Sequence, residues 1–490
     1  MGMNQQSVPE ASLELSPRST TSTLSAQSSF LPWSLLVTAV VLAVTSRVLI
    51  AFAGLPSAIN FLHFPLLFAA YVLSRSRVRE APIGTMERVL VVSAALTVAS
   101  LIGSQQSSWL RTLLLWPILI EPILVILTIW HLSAAGFPST MSLRLGRVVV
   151  LGQLPIAIAQ AASSGMGDAV QGTLIRQGAG HHVLGAMGLM AALVALASIL
   201  TGRRPPLSLT GVAVAGGFLL AVLTDMKQGI AVFFLVGTFV LVSGLKERRR
   251  IRGFGQGMRR TRLAVAVVIG IAVSVILILN LFVILAREPW RFGAPFEAKA
   301  ASLERISQEM DRNPMAYLVG LGPGTTATRI AWLSAPSAPQ SSLQGLGLEP
   351  TPVATELSLE WANNPRWLQS SVSSPFSSWV GVYGDLGLLG LAALVVLWWL
   401  PWRAARHSPE GLGARAVILF TVLLGLIFNW MEEPVLVITA AVLIGGLSAP
   451  SETARAGFRG DGSVRRAGTH HRFTGRIPSP NHVTRWDRQT

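Results

Sequence analysis

Stretches of about 20 mostly apolar residues recur along almost the whole chain, and they constrain its fold more than any other feature. A helix of about 20 such residues crosses a bilayer and satisfies its own backbone hydrogen bonds there. Of the 490 residues, 51% are hydrophobic and only 13% are charged, which is too apolar for one soluble core. The sequence therefore predicts an all-α fold, a polytopic membrane helix bundle with about twelve transmembrane helices. The predicted spans are residues 32–52, 57–73, 88–104, 112–135, 147–163, 183–201, 207–224, 227–245, 263–286, 376–400, 415–429 and 434–449.

Basic residues fall on alternate loops between these spans, with the densest run between Lys246 and Arg262. Because cytoplasmic loops of membrane proteins are enriched in Lys and Arg, these loops are predicted to lie inside. The net charge of +16 is therefore interpreted as a determinant of topology that also meets anionic lipid, and not as a nucleic-acid surface. Both termini are then cytoplasmic. The long polar loop 287–375, between helices nine and ten, is then extracytoplasmic.

The two ends of the chain lack hydrophobic periodicity. Residues 1–30 are rich in Ser and Thr and are predicted to be a disordered cytoplasmic tail, without the pattern of a cleavable signal. Residues 451–490 are predicted to be a second disordered cytoplasmic tail, which is basic. The transmembrane domain therefore extends over residues 31–450.

Several kinds of chemistry leave no trace in the sequence. The chain has no cysteine, which excludes disulfides, iron–sulfur clusters and cysteine nucleophiles. No cluster with metal-ligand spacing and no Gly-Lys-Ser/Thr phosphate loop is present. No metal and no cofactor is therefore predicted.

The long loop carries an element of its own. Apolar residues recur at helical spacing from Ala300 to Met310, with charged residues between them, which predicts an amphipathic helix along the outer membrane face. The helix is expected to end at Asn313-Pro314, because a residue before proline disfavours the helical conformation. A tight turn is predicted at Gly320-Leu321-Gly322-Pro323-Gly324.

Charged residues inside or beside apolar spans are costly unless they are paired or functional. Lys227 lies at the outer end of a span beside Asp225, where it is either functional or a structural or snorkelling lysine. Arg47 and Glu121, each within a span, are expected to form a structural pair, with a path for protons or substrate as the alternative. The Glu432-Glu433 pair on an outer turn is expected to be solvated, or to bind a cation.

One segment carries a family resemblance. Residues 374–390 contain Pro375, a hydrophobic run, Asp385, and the Gly-x-x-Gly of Gly387 and Gly390. This segment resembles the signature of the O-antigen ligase and polysaccharide polymerase family, which reads Pro-His-Asn, a hydrophobic run, an acid and Gly-x-x-Gly. Phe376 stands where that signature has its histidine.

Three further stretches resemble elements of the same family, so that the resemblance covers roughly residues 165–395. They are the Gly-x-Gly-Pro-Gly turn at 320–324, an acid-to-Gly-Thr element at 168–173, and a helix start at 224–229. The resemblance implies an integral membrane glycosyltransferase of the bacterial inner membrane. Such an enzyme polymerises or ligates oligosaccharide carried on a polyprenyl pyrophosphate, and transfers it to a glycan or lipid acceptor on the outer face.

The leaving pyrophosphate of that reaction develops negative charge, which fixed cations stabilise. Lys227 and Arg305 are therefore the predicted catalytic cations, with Asp225 beside the first. Because Phe376 cannot act as a base, His181 and His182 are the candidates to orient or deprotonate the acceptor hydroxyl, and Asp385 is expected to be structural. The predicted substrate-binding residues are Asp168, Arg176, Lys299, Gly322, Gly324, Arg329 and Arg366.

Two alternatives remain open at this point. A secondary transporter or flippase of lipid-linked sugars would also have about twelve spans, although no internal repeat is visible. A catalytically inactive scaffold for envelope polysaccharide assembly proteins would tolerate Phe376. If the chain is a glycosyltransferase, the expected partners are the membrane lipid and the lipid-linked glycan.

Overall fold

The computed structural model describes most of the chain between residues 20 and 449. The described ranges are 20–78, 84–104, 106–175, 180–201, 207–250, 290–335, 343, 347–368, 373–408 and 410–449. The basic tail 451–490, the ninth predicted span and Arg176 lie outside these ranges. Residues 20–30 belong to the first helix, so the part of the predicted N-terminal tail that is described is helical.

All regular secondary structure in the described ranges is helical, which confirms the all-α prediction for that part of the chain. The helices of the first half are α1 (Thr20–Ala53), α2 (His63–Arg75), α3 (Thr85–Gly103), α4 (Trp109–Ala134), α5 (Ser139–Leu151), α6 (Gln153–Ser164), α7 (Gly180–Leu200), α8 (Leu207–Leu223) and α9 (Lys227–Arg250). Those of the second half are α10 (Trp290–Asp311), α11 (Ala316–Val319), α12 (Arg329–Ser334), α13 (Pro352–Asn363), α14 (Pro365–Leu368), α15 (Ser378–Ala405), α16 (Gly411–Ile427) and α17 (Pro434–Ser448). Short 3-10 helices occupy Ser57–Phe61, Ser76–Val78 and Trp430–Glu432.

Seven helical segments of the described ranges are long and apolar enough to cross a membrane. They are Phe30–Ala53, Thr85–Gly103, Trp109–Ala134, Ser139–Ser164, Gly180–Leu200, Lys227–Lys246 and Ser378–Ala405. Three more apolar helices are shorter, at Thr210–Leu223, Gly411–Ile427 and Pro434–Ser448, and α2 has only 13 residues. Twelve full-length spans are therefore not what the described residues contain.

Helices α4 and α7 form the centre of the bundle. Their apolar windows are 78% and 83% buried, against 33% for α3 at the periphery. Helix α4 packs against α2 and α17, and α7 packs against α8, α9 and α16. The hydroxyl of Ser108 caps α4 by accepting a hydrogen bond from the backbone of Arg111, and the helix continues through Pro117 and Pro122.

The helix predicted in the long loop is present as α10, but its apolar face contacts protein. Ile306 and Met310 are fully buried and pack with Phe376 and Leu357. The reason is that α13 and the start of α15 lie against α10 and cover this face. Phe376 therefore fills a small core between these helices. We call the described residues between 290 and 368 the lid.

Candidate functional site

The lid is fastened to α15 through the carboxylate of Asp385, which is fully buried. The carboxylate accepts hydrogen bonds from the backbone N–H groups of Gly324 (2.6 Å), Thr325 (3.1 Å) and Thr326 (2.8 Å). It also accepts bonds from the hydroxyls of Thr326 (2.7 Å) and Thr328 (2.8 Å). These contacts agree with the structural role expected for Asp385, and its partners are backbone and hydroxyl groups.

The glycines of the two family-like motifs meet at this attachment. Gly322 and Gly324 have φ angles of 117° and 71°, which residues other than glycine rarely adopt. Helix α15 is broken at Gly387, where φ is 65°, and the break leaves the carbonyl of Asp385 able to accept a bond from the N–H of Gly322 at 3.1 Å. Both lid glycines therefore shape the turn and seat it against α15.

Beyond this turn the lid contributes to a group of buried charges, which we call the ionic cluster: Arg47, Arg329, Glu432 and Glu433. The guanidinium of Arg329 contacts Glu433, and its backbone N–H donates to Glu432 at 2.5 Å. Arg47, from α1, approaches the same Glu433 at 3.9 Å and keeps 21% of its side chain exposed. Two arginines thus share one carboxylate, and the side chain of one of them is partly exposed.

The solvated state expected for Glu432 and Glu433 is wrong, because both residues are fully buried. They follow Trp430 and Met431, which are almost fully buried and draw the turn between α16 and α17 into the protein. Burial raises the pKa of Glu432 to about 8, partly opposed by the backbone hydrogen bond from Arg329. Glu432 is therefore mostly protonated near neutral pH, which leaves the ionic cluster with an excess of positive charge.

The expected pair of Arg47 with Glu121 is also wrong. Glu121, at the middle of α4, contacts His63 at 3.0 Å, whereas Arg47 is directed towards Glu433. His63 starts α2, and the packing of α2 against α4 brings it to the carboxylate. Glu121 still lies close enough to Glu433 and Arg329 to interact with them electrostatically.

A second group, the histidine cluster, contains five of the predicted site residues: Asp168, His181, His182, Asp225 and Lys227. His181 contacts Asp168 at 2.9 Å, and the His181 and His182 rings are 3.9 Å apart. Lys227 contacts Asp225 at 2.9 Å, and this pair interacts electrostatically with the two histidines. Asp225 has a φ of 50°, the only positive φ among the described residues other than glycine.

The loop that carries Asp168 is held by two glutamines of α6. Gln160 accepts hydrogen bonds from the N–H groups of Gln171 (2.9 Å) and Gly172 (2.7 Å), and Gln153 accepts one from Thr173 (2.9 Å). Because the two glutamines are seven residues apart, they lie on one face of the helix. Helix α6 therefore fixes the backbone of the acid-to-Gly-Thr element.

The ionic and histidine clusters are neighbours. The His182 ring lies 5.8 Å from the ring of Trp430, which stands two residues before Glu432. The hydroxyl of Thr173 donates to the carbonyl of Val44 at 2.8 Å, one helical turn before Arg47. Residues distant in sequence from α1, α7, α9, the lid and the α16–α17 turn are thereby brought to one end of the bundle.

The other predicted cations of the lid, apart from Arg329, lie outside the two clusters. Lys299 donates to the backbone carbonyls of Ser374 and Phe376, the latter at 3.0 Å, and burial lowers its pKa to about 7. Arg305 is half exposed and contacts Glu356 at 3.7 Å, and Arg366 is exposed on α14. These contacts give Lys299 a structural role in holding the segment before α15. Arg329 is the lid arginine that lies in the ionic cluster.

Sequence reasoning did not group Arg47, Glu432 and Glu433 in one cluster, and it did not single out His63 at all. The available signals were a charge inside the first span and two acids directly before the last one. Neither signal names its partner, because the pairing depends on which helices pack together.

The apolar helices and the buried ionisable groups between them define the class of this chain as a helical membrane protein. Neither a protein-family model nor a curated protein matches the sequence.

Proposed function

We propose that the chain is a membrane glycosyltransferase that polymerises or ligates oligosaccharide units carried on a lipid pyrophosphate. The observation that carries the proposal is the convergence of Arg47 and Arg329 on the single carboxylate of Glu433. With Glu432 mostly protonated, the ionic cluster holds more positive than negative charge, and the side chain of Arg47 is partly exposed. Such a site favours an anionic group, and arginine suits the oxygens of a pyrophosphate.

The reaction needs two features that the neighbouring clusters supply. Breaking the glycosidic bond leaves its electrons on the pyrophosphate, where Arg47 and Arg329 stabilise the charge. The acceptor hydroxyl loses a proton as the new bond forms, and the histidine cluster lies beside this point. His181, oriented by Asp168, is the proposed base, and the exposed Lys227 and Asp225 border the site.

The proposed location is the inner membrane of a bacterium, with both termini cytoplasmic and the lid outside. The donor is a polyprenyl-pyrophosphate-linked glycan, the acceptor a glycan or lipid, and polysaccharide assembly proteins are further partners. Because the chain has no cysteine, single cysteines report topology without background labelling. Arg312 is exposed on the lid. The single cysteine of the Arg312→Cys variant should therefore react with an impermeant maleimide in intact spheroplasts. Reaction only after lysis would place the lid inside and end the proposal.

A lipid-linked sugar transporter is the second candidate, and the His63–Glu121 pair is the observation that favours it. A buried ionisable pair within membrane helices is typical of proton-coupled carriers. The two candidates differ in whether they need two compartments, because a carrier moves its substrate without forming a bond. An inactive scaffold would do neither.

The test uses purified protein in detergent, with a lipid-pyrophosphate oligosaccharide as donor and a labelled glycan as acceptor. The proposal predicts longer labelled glycan and released lipid pyrophosphate, although no sealed membrane is present. Arg329→Gln and Arg47→Gln should each reduce the rate by about 100-fold or more. Arg312→Gln, which removes an exposed lid arginine paired with Glu309, is the matched control and should keep the wild-type rate. Product formation that is equal in all four proteins would exclude the ionic cluster.

The same variants separate an enzyme from a scaffold in cells. A strain that lacks the chain should show lost or shortened surface polysaccharide, which Arg312→Gln restores and Arg329→Gln does not. Membrane abundance is measured alongside, and Arg329→Lys is included because it keeps the charge but loses the forked guanidinium. Full restoration by Arg329→Gln at equal abundance would favour a scaffold.

A further inference from the structure

The side chains of His63 and Glu121 are fully buried, yet each has a polar atom that makes no hydrogen bond to the described residues. The two side chains are 1% and 0% exposed and are joined at 3.0 Å between Nε2 and Oε2. Their other polar atoms, Nδ1 of His63 and Oε1 of Glu121, are buried without a hydrogen-bond partner among the described residues. Buried polar atoms of folded proteins are normally satisfied, so each exception needs an explanation.

A second buried carboxylate shows how this chain holds a glutamate whose role is structural. Glu87 accepts hydrogen bonds from Arg75 (2.8 Å) and Tyr71 (3.2 Å) on one oxygen. Its other oxygen accepts the N–H of Gly84 at 2.7 Å, which caps α3. Both oxygens of Glu87 are therefore occupied by donors from separate elements. Glu87 also lies 3.5 Å from the imidazole of His131, but its hydrogen bonds do not depend on that contact. Glu121 has a single contact, and its partner is a side chain that can itself gain or lose a proton.

We propose that His63 and Glu121 form a proton-binding pair that adjusts the charge of the ionic cluster. With one shared proton the pair is neutral, as a glutamic acid beside imidazole or as a glutamate beside imidazolium. A second proton makes the pair positive, and removal of the shared proton makes it negative. No other reactant is required, because the pair only exchanges protons with water.

The pair is coupled to the ionic cluster by proximity. Helix α4, which carries Glu121, packs against α17, against the turn before it and against α12 of the lid. Glu433, directly before α17, and Arg329, at the start of α12, therefore act electrostatically on Glu121, and Arg47 of α1 faces the same Glu433. Glu432, in the turn before α17, contacts Arg329. A change of one charge on the pair therefore alters how strongly the arginines attract an anion. Anion binding should then take up a proton, and by reciprocity a lower pH should strengthen anion binding.

The direct test is infrared difference spectroscopy of purified full-length protein, stepped between about pH 5 and about pH 8. A protonated carboxyl group has a C=O band that the carboxylate lacks. Glu432 contributes its own band change in this window, which all variants at other positions keep. We expect a further component of the wild-type band change that is absent from Glu121→Gln and retained in Glu87→Gln, the matched control. His63→Gln keeps Glu121 but should move the midpoint of its band. Identical difference spectra for wild type and Glu121→Gln, or an unmoved midpoint in His63→Gln, would overturn the pair.

A second experiment tests the coupling, which rests on the proposed function because it uses inorganic pyrophosphate as the probe. Calorimetry at both pH values should show a wild-type affinity that rises, relative to that of Glu121→Gln, as pH falls, by up to about tenfold per pH unit for one linked proton. The comparison with the variant removes the change in charge of the pyrophosphate itself. Glu121→Gln should lose this part of the slope, and Glu87→Gln should keep it. Equal slopes in wild type and Glu121→Gln would overturn the coupling. No binding at either pH would count against the proposed function, and the infrared result would decide the pair by itself.

Discussion

The Oδ2 atom of Asp385 accepts a hydrogen bond from the backbone N–H of Gly324 at 2.6 Å, although the two residues are 61 positions apart in the chain. This contact joins the lid to α15 at the point where α15 is broken. It also fixes the start of the segment that continues to Arg329, and so it positions one half of the ionic cluster. Asp385, the acid of the family-like motif, therefore positions part of the ionic cluster by binding the backbone of the lid.

Asp385→Asn should detach the lid. The substitution keeps the size of the side chain but places an amide N–H₂ against donors that now point at a carboxylate. Because unsatisfied buried donors are costly, we expect a loss of at least about 2 kcal/mol in the free energy of unfolding. Denaturant unfolding of the purified protein in detergent measures it.

The control for this prediction is Asp311→Asn. Asp311 accepts one bond from Tyr317 at 2.6 Å, but on the surface of the lid. Its substitution should change the free energy of unfolding by less than about 0.5 kcal/mol. Equal losses in the two variants would show that the network around Asp385 has no special weight.

Phe376→His restores the histidine of the family signature and should not restore its chemistry. Phe376 is 1% exposed and packs with Ile306, Met310 and Val353, so an imidazole there would be buried among apolar groups. We expect a loss of about 2 kcal/mol or more in the free energy of unfolding and no gain in glycosyl transfer. Phe376→Leu should lose less. A faster reaction in Phe376→His than in wild type would reinstate this position as the site of the base.

Glu432→Gln should change how stability depends on pH. Burial raises the pKa of Glu432 from 4.5 to about 8, so between these values the folded protein binds a proton that the unfolded chain releases. The stabilisation from Glu432 is complete below about pH 4.5 and is lost as the pH rises towards about 8. The variant should lack this decline, which amounts to at most about 1.4 kcal/mol per pH unit.

Unfolding measured at several pH values in that window tests the prediction, with Glu356→Gln as the control. Glu356 has a side chain that is 57% exposed. Its substitution should leave the pH profile of the wild type unchanged. A Glu432→Gln profile that runs parallel to the wild type would contradict a protonated Glu432.

Much of the helical architecture could be predicted because apolar length is a local property. Eleven of the twelve predicted spans coincide with or overlap a described helix, and the ninth lies outside the described ranges. The lengths were less predictable. Residues 57–73 look like one span, yet a 3-10 turn and α2 divide them, and Gly152 separates α5 from α6.

The site was predictable only in part. The sequence singled out all five members of the histidine cluster: Asp168, Asp225 and Lys227 lie in short motifs that resemble the family, and His181 and His182 were the candidates for a base in place of Phe376. The sequence wrongly predicted a pair between Arg47 and Glu121 and a solvated Glu433. Charge and hydropathy indicate that a buried charge needs a partner, but they do not identify that partner. Lys299 was assigned to substrate because it is a cation of the outer loop, whereas the structure places its ammonium group against two backbone carbonyls.

By itself, the sequence determined that the described chain is helical, where its apolar segments lie and which charges are too costly to leave alone in lipid. Those properties follow from the composition and spacing of neighbouring residues. Only the tertiary structure decided which charged residues contact each other. Arg47 and Arg329 both contact Glu433, His63 contacts Glu121, and Asp385 binds the backbone of the lid. These contacts join residues 57 to 386 positions apart, and they exist because particular helices pack against each other, which no local pattern specifies.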